Sequence, residues 1–169
     1  MNSRHLLCAL AIAALAIPAS ARQLTPGQVA QDIRAHGARA TVRSLDQTGR
    51  LDSVLNSIAS GNAAWIRLSP DLAKGTDAGN STGLTIALAR ALPKNPKAVL
   101  TILDDGLVIG SNAVCSAPFI EPTARELKEY LDRAIPAVTR VAESDRYPRR
   151  SACLHALQRS AELTAAPSS

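Results

Sequence analysis

Apolar residues follow two different patterns along this chain. Leu6 to Ile17 is an unbroken apolar run, whereas from Leu24 onward apolar positions recur every three or four residues. The second pattern marks helices that bury one face. Leu51, Val54, Leu55 and Ile58 keep the i, i+3, i+4, i+7 spacing; Val42 and Leu45 precede them, and Trp65, Leu68 and Leu72 follow. Gly37, Gly49, Gly61 and Gly75 punctuate this half, and glycine just past a last turn is a common helix terminator. Thr25-Pro26-Gly27-Gln28 has capping-box spacing with proline at the first helical position, so the first helix is predicted to run to His36. Helices of about ten residues are too short to stand alone in water and must be held by packing. The first half therefore reads as stacked short helical hairpins in a superhelix-like arrangement, although the segments share spacing rather than sequence.

Longer helices follow. One is predicted from Asp77 to Leu92, ending at Pro93. Asn95-Pro96 starts another, with Val99, Ile102 and Leu103 inward. Residues 97–110 also fit a β-hairpin around Asp104-Asp105-Gly106, and the Asn-Pro start favours the helix. Leu107 to Pro122 reads as an irregular connector. From Thr123 a long helix buries Leu127, Leu131, Ala134, Val138 and Val141, with Pro136 expected to kink it. A final helix follows Tyr147-Pro148 and carries Cys153, Leu154 and Leu157. The fold class is all-α.

The apolar run at the start changes the picture of where the protein works. Arg4 and His5 precede it, and Pro18 and Ala19-Ser20-Ala21 follow, the anatomy of a secretory signal cleaved after Ala21. The run is shorter than the ~20 residues a membrane-spanning helix needs. Residues 1–21 are thus read as a signal peptide, 22–163 as one helical domain and 164–169 as a flexible tail. The expected location is the periplasm, or outside the cell, with no transmembrane segment in the mature chain. Cys8 leaves with the signal. Cys115 and Cys153 remain, and in an oxidising compartment a pair of thiols favours a disulfide. Closing that loop is worth roughly 3–4 kcal/mol by chain entropy.

Composition excludes some functions. Hydrophobic residues make up 46% and charged residues 20%, values of a globular rather than a disordered chain. Losing Arg4 lowers the formal net charge from +5 to +4. Basic residues are interspersed with acids, and Trp65, Phe119, Tyr130 and Tyr147 are the only aromatics, so no nucleic-acid partner is expected.

Several residues invite a chemical reading. Gly79-Asn80-Ser81-Thr82-Gly83 matches the G-x-S-x-G pattern, and Asp104 or Asp105 and then His155 follow in serine-hydrolase order. That chemistry requires a strand-to-helix turn, and no apolar strand precedes Ser81. A helix start, in which Gly79 and Gly83 let a neighbour approach, is the simpler reading. His36 suits a helix C-terminus, and two histidines alone make no zinc site. Asp77, Asn80 and Ser81 miss the calcium-loop spacing. Glu126, Glu129 and Asp132 read as a solvated face, paired as Arg125–Glu129, Lys128–Asp132 and Glu129–Arg133. Arg146, Arg149 and Arg150 form the densest basic cluster; it suits an anionic docking patch, with a solvated turn between helices the simpler reading. Trp65 is expected in the core or as a surface anchor. Neither a metal nor a cofactor is expected.

The segments Ser44-Leu45-Asp46, Gly49-Arg50-Leu51-Asp52-Ser53-Val54-Leu55, Ile58-Ala59-Ser60-Gly61, Trp65-Ile66-Arg67-Leu68, Leu92-Pro93-Lys94-Asn95-Pro96 and Cys115-Ser116-Ala117-Pro118-Phe119-Ile120-Glu121 resemble a family of small exported helical proteins of proteobacteria that has no assigned activity. The resemblance implies an exported helical protein and carries over no catalytic residue. In size, cysteine use and helical pattern the chain is also similar to periplasmic immunity proteins that neutralise type VI secretion amidases, an architectural analogy. The function expected on these grounds is a non-enzymatic interaction module with another envelope or secreted protein as partner. An envelope serine esterase using Ser81 and a small-ligand or lipid carrier are the alternatives.

Overall fold

The computed structural model describes residues 24–165. The expected signal, residues 1–21, and positions 166–169 of the expected tail lie outside the described residues. Among the described residues nine helices follow one another: α1 (Pro26–His36), α2 (Ala38–Gln47), α3 (Leu51–Ala59), α4 (Ala63–Ala73), α5 (Ala78–Ala91), α6 (Pro96–Ile102), α7 (Ser111–Cys115), α8 (Ala124–Thr139) and α9 (Arg150–Ala165). The described residues contain no strand, only a single bridge between Asp104 and Gly110. No described helix is long and apolar enough to cross a membrane.

Local chemistry sets the helix starts. The Thr25 hydroxyl accepts from the Gln28 amide at 3.3 Å while the Gln28 side chain accepts from the Thr25 amide at 3.0 Å, with Pro26 opening α1. Asn95 caps α6 by accepting from the Ala98 amide at 3.2 Å, and its amide group also donates to the Gly61 carbonyl at 2.9 Å. Thr123 and Glu126 form a second capping box at α8.

Three of the four punctuating glycines act as expected: Gly37, Gly49 and Gly61 have φ of 83°, 65° and 90°, which L side chains rarely adopt. Gly75 differs. Its φ is not positive; instead, a Cβ there would lie 2.3 Å from the Ala38 carbonyl oxygen. It is a packing glycine, letting the α4–α5 turn sit on the α1–α2 junction.

The helices stack in two rows. α2, α4, α6 and α8 touch in succession along one row, and α3, α5, α7 and α9 along the other; α1 packs on α2 and α4, and α8 closes on α9. This is the superhelix-like stack read from the spacing. One buried cluster runs through it from Val29 to Leu157. Trp65 is 5% exposed and belongs to this core rather than to a surface anchor.

Two stretches differ from expectation. At 97–110 the helix forms and the hairpin does not, but α6 stops at Ile102 because Leu103 turns extended. The loop after it is held by Thr85, whose hydroxyl donates to the Val108 carbonyl at 2.7 Å. Within the connector 107–122 the chain forms α7, a five-residue helix. Its stability is tertiary: Val114 and Cys115 are fully buried, α7 packs on α5 and α9, and Cys115 bonds Cys153 of α9 with an S–S distance of 2.03 Å. α8 continues through Pro136, and α9 runs through Thr164 and Ala165, two residues past the expected domain end.

Candidate functional site

The G-x-S-x-G segment lies in the first turns of α5. Asp77 caps this helix by accepting from the Asn80 amide at 3.0 Å, and the Ser81 hydroxyl donates to the Ala78 carbonyl at 2.9 Å. A strand-to-helix elbow is therefore not what the backbone builds here. Asp104 accepts from the Gly106 amide at 2.7 Å, Asp105 pairs with Arg149, and His155 is exposed on α9. Among the described residues no hydrogen bond joins Ser81, His155 and either aspartate. Gly83 does admit a neighbour, since a Cβ there would meet Leu55 Cδ1 at 3.0 Å; Gly79 faces nothing close.

The basic cluster of the sequence is largely bound up within the chain. Arg149 pairs with Asp105. Arg150, its side chain only 14% exposed, donates to the Thr139 carbonyl at 2.9 Å and lies 3.7 Å from the Glu143 carboxylate. Arg146 alone of the three stays exposed with no ion pair among the described residues. Arg149 and Arg150 thus tie the start of α9 to the 103–110 loop and to α8, leaving a single arginine free among the described residues rather than a patch.

A groove of about 870 Å³ lies elsewhere. One wall comes from the end of α5 and the turn after it (Ile86, Arg90, Pro93, Lys94), another from the loop Phe119-Ile120-Glu121-Pro122, and the third from α8. Glu126, Tyr130 and Arg133 follow helical spacing along α8, and Arg140, its C-cap residue, continues the stripe beside the buried seam. Ala117 and Glu121 hold the loop wall in shape with φ of 56° and 46°, a conformation costly for residues other than glycine. Phe119 meets Tyr130 edge-on with ring centroids 4.7 Å apart. The Tyr130 hydroxyl is buried without a hydrogen-bond partner, and burial pushes its pKa upward, so it stays a neutral phenol.

The groove's charges are unequally engaged. Glu126 accepts from the Thr123 hydroxyl at 2.7 Å and from its amide at 2.9 Å, bonds that hold its carboxyl below the usual range. Lys128 holds Asp132 at 2.7 Å. Of the expected helix-face pairs, Arg125–Glu129 spans 4.0 Å, and Glu129–Arg133 does not form: the Arg133 Nε donates to the Glu129 carbonyl at 3.0 Å. Lys94 donates to the Ala59 carbonyl at 2.6 Å. Arg90, Arg133 and Arg140 take part in no ion pair among the described residues. These arginines were missed as a set because they are scattered from position 90 to 140; the seven-residue interval from Arg133 to Arg140 was the one local hint.

Among the described residues no group of three His, Cys, Asp or Glu side chains is placed to hold a metal ion. The fold and groove define a disulfide-linked two-row helical stack with a basic-and-apolar cleft on its flank. Comparison with known proteins finds no matching family model, curated protein or solved structure.

Proposed function

We propose that this protein is a non-enzymatic interaction module, exported from the cytoplasm, that docks another envelope or secreted protein in the groove between α5, the 119–122 loop and α8. One observation carries the reading. The groove combines three arginines that lack ion pairs among the described residues with an isoleucine, Ile120, that is 75% exposed. Exposed apolar side chains beside arginines are what interface cores favour. The likeness in size, cysteine use and helical pattern to periplasmic immunity proteins, drawn from the sequence alone, fits the same reading. A lipid carrier calls for a continuous apolar cavity, whereas this lining alternates charged and apolar groups.

Two measurements test the proposal. N-terminal sequencing of the protein recovered from a periplasmic fraction is expected to begin at Arg22; retention of Met1 in a cytoplasmic fraction would refute export. Affinity capture with wild type and with Ile120→Asp is expected to yield a stoichiometric protein partner that the variant loses. Equal recovery by both would remove the groove from the account.

A further inference from the structure

Resting on that docking reading, we infer that the groove's occupant is an acidic segment of a partner protein, one that places carboxylates among apolar side chains. Four cationic side chains line the groove: Arg90, Lys94, Arg133 and Arg140. Three carboxylates line it too: Lys128 pairs Asp132, while Glu121 and Glu126, the latter kept ionised by its bonds from Thr123, stay anionic, so the cations outnumber the carboxylates that lack a cationic partner among the described residues. The three arginines differ from the rest of the lining in having guanidinium donors to spare. Arg90 and Arg140 make no side-chain hydrogen bond among the described residues, and Arg133 uses only its Nε. A guanidinium fork binds a carboxylate through two parallel hydrogen bonds, which gives orientation as well as attraction.

The apolar part of the lining distinguishes an acidic protein segment from other anions. Ile86, Pro93, Ile120 and Pro136 line the same groove as the cations and ask for apolar side chains beside the carboxylates. A nucleic-acid strand would want stacking faces, and the groove's Phe119 is already engaged edge-on with Tyr130. A free inorganic anion would leave Ile120 uncovered.

The test uses the mature protein and a short fluorescent peptide built from Glu and Leu, read by anisotropy. Binding is expected to weaken as salt rises, and to fall about tenfold or more in Arg90→Glu/Arg133→Glu, with a smaller loss in Ile120→Ser. Arg43→Glu/Arg67→Glu, the same charge change on exposed positions of α2 and α4, is expected to bind almost as wild type. Circular dichroism confirms that each variant is folded. Equal losses in the groove and control variants would overturn the inference, leaving only a net-charge effect. So would equal binding of polyglutamate with no effect of Ile120→Ser, or binding of phosphatidylglycerol vesicles without the peptide. A dimer in sedimentation that Arg90→Glu/Arg133→Glu dissolves would assign the groove to a second copy and overturn it as well. If Ile120→Asp abolishes capture of a partner yet the acidic peptide fails to bind, docking stands and the acidic chemistry falls.

Discussion

Breaking the link between Cys115 and Cys153 should loosen one end of the stack more than any single surface change. The two cysteines are 38 positions apart. In the chain-entropy treatment, closing a loop of that length removes about 13 cal/mol/K from the unfolded ensemble, roughly 3.9 kcal/mol at 25 °C. Unfolding entropy of about 2.1 cal/mol/K per residue over about 140 residues then converts this to a Tm lower by about 13 °C. Both cysteines are fully buried, so replacement by alanine adds a cavity cost, and reduced wild type is the cleaner comparison.

Thermal melts followed by circular dichroism, with thiols counted under each condition, measure the shift. Hydrogen exchange should localise it. α7 has five residues and packs on α5 and α9, so its amides are expected to lose protection first, ahead of those in α3 and α4. Because the sulfurs are enclosed, dithiothreitol is expected to act slowly on the native protein and quickly once denaturant opens it. A Tm drop below about 4 °C with two free thiols counted would refute the reasoning, since packing alone would then hold α7.

Other perturbations probe separate parts of the fold. Tyr130→Phe keeps the ring against Phe119 and removes a buried hydroxyl that has no partner, so urea denaturation should show a gain of about 1 kcal/mol; a loss would mean the hydroxyl is bonded in solution. Gly75→Ala drives a Cβ into the Ala38 carbonyl and should cost about 3 kcal/mol, more than Gly49→Ala, which meets only the left-handed penalty of about 1–2 kcal/mol in open space; the reverse order would show that the α4–α5 turn yields easily. The Glu126 carboxyl is held low by Thr123, so its contribution is present above its unfolded pKa and disappears as pH falls through the folded one. Acid titration of Glu126→Gln should accordingly show a shallower stability loss below about pH 4.3 than wild type, and an unchanged slope would discount the cap.

What could be read from the sequence was what neighbours along the chain decide. The Thr25–Gln28 box, the Asn95-Pro96 start and the seam from Leu127 to Val141 each lie within a few helical turns, and their spacing alone implies the geometry found. α7 escaped because nothing in Ser111–Cys115 favours a helix until α9 and the sulfur bond surround it. Charge was the harder case, since the partners decide its role and they are distant. Arg149 finds Asp105 across 44 positions, and Arg150 reaches back 11 to Thr139, so two of the three arginines in the densest basic run are consumed as internal ties. Arg90, Arg133 and Arg140 never look like a cluster in the sequence, yet folding brings them to one groove with no ion pair to any of them among the described residues. Linear charge density therefore reports where cations are made, while the proposed docking face is set by which of the unpaired ones the fold gathers into one groove. For this chain the two are different residues.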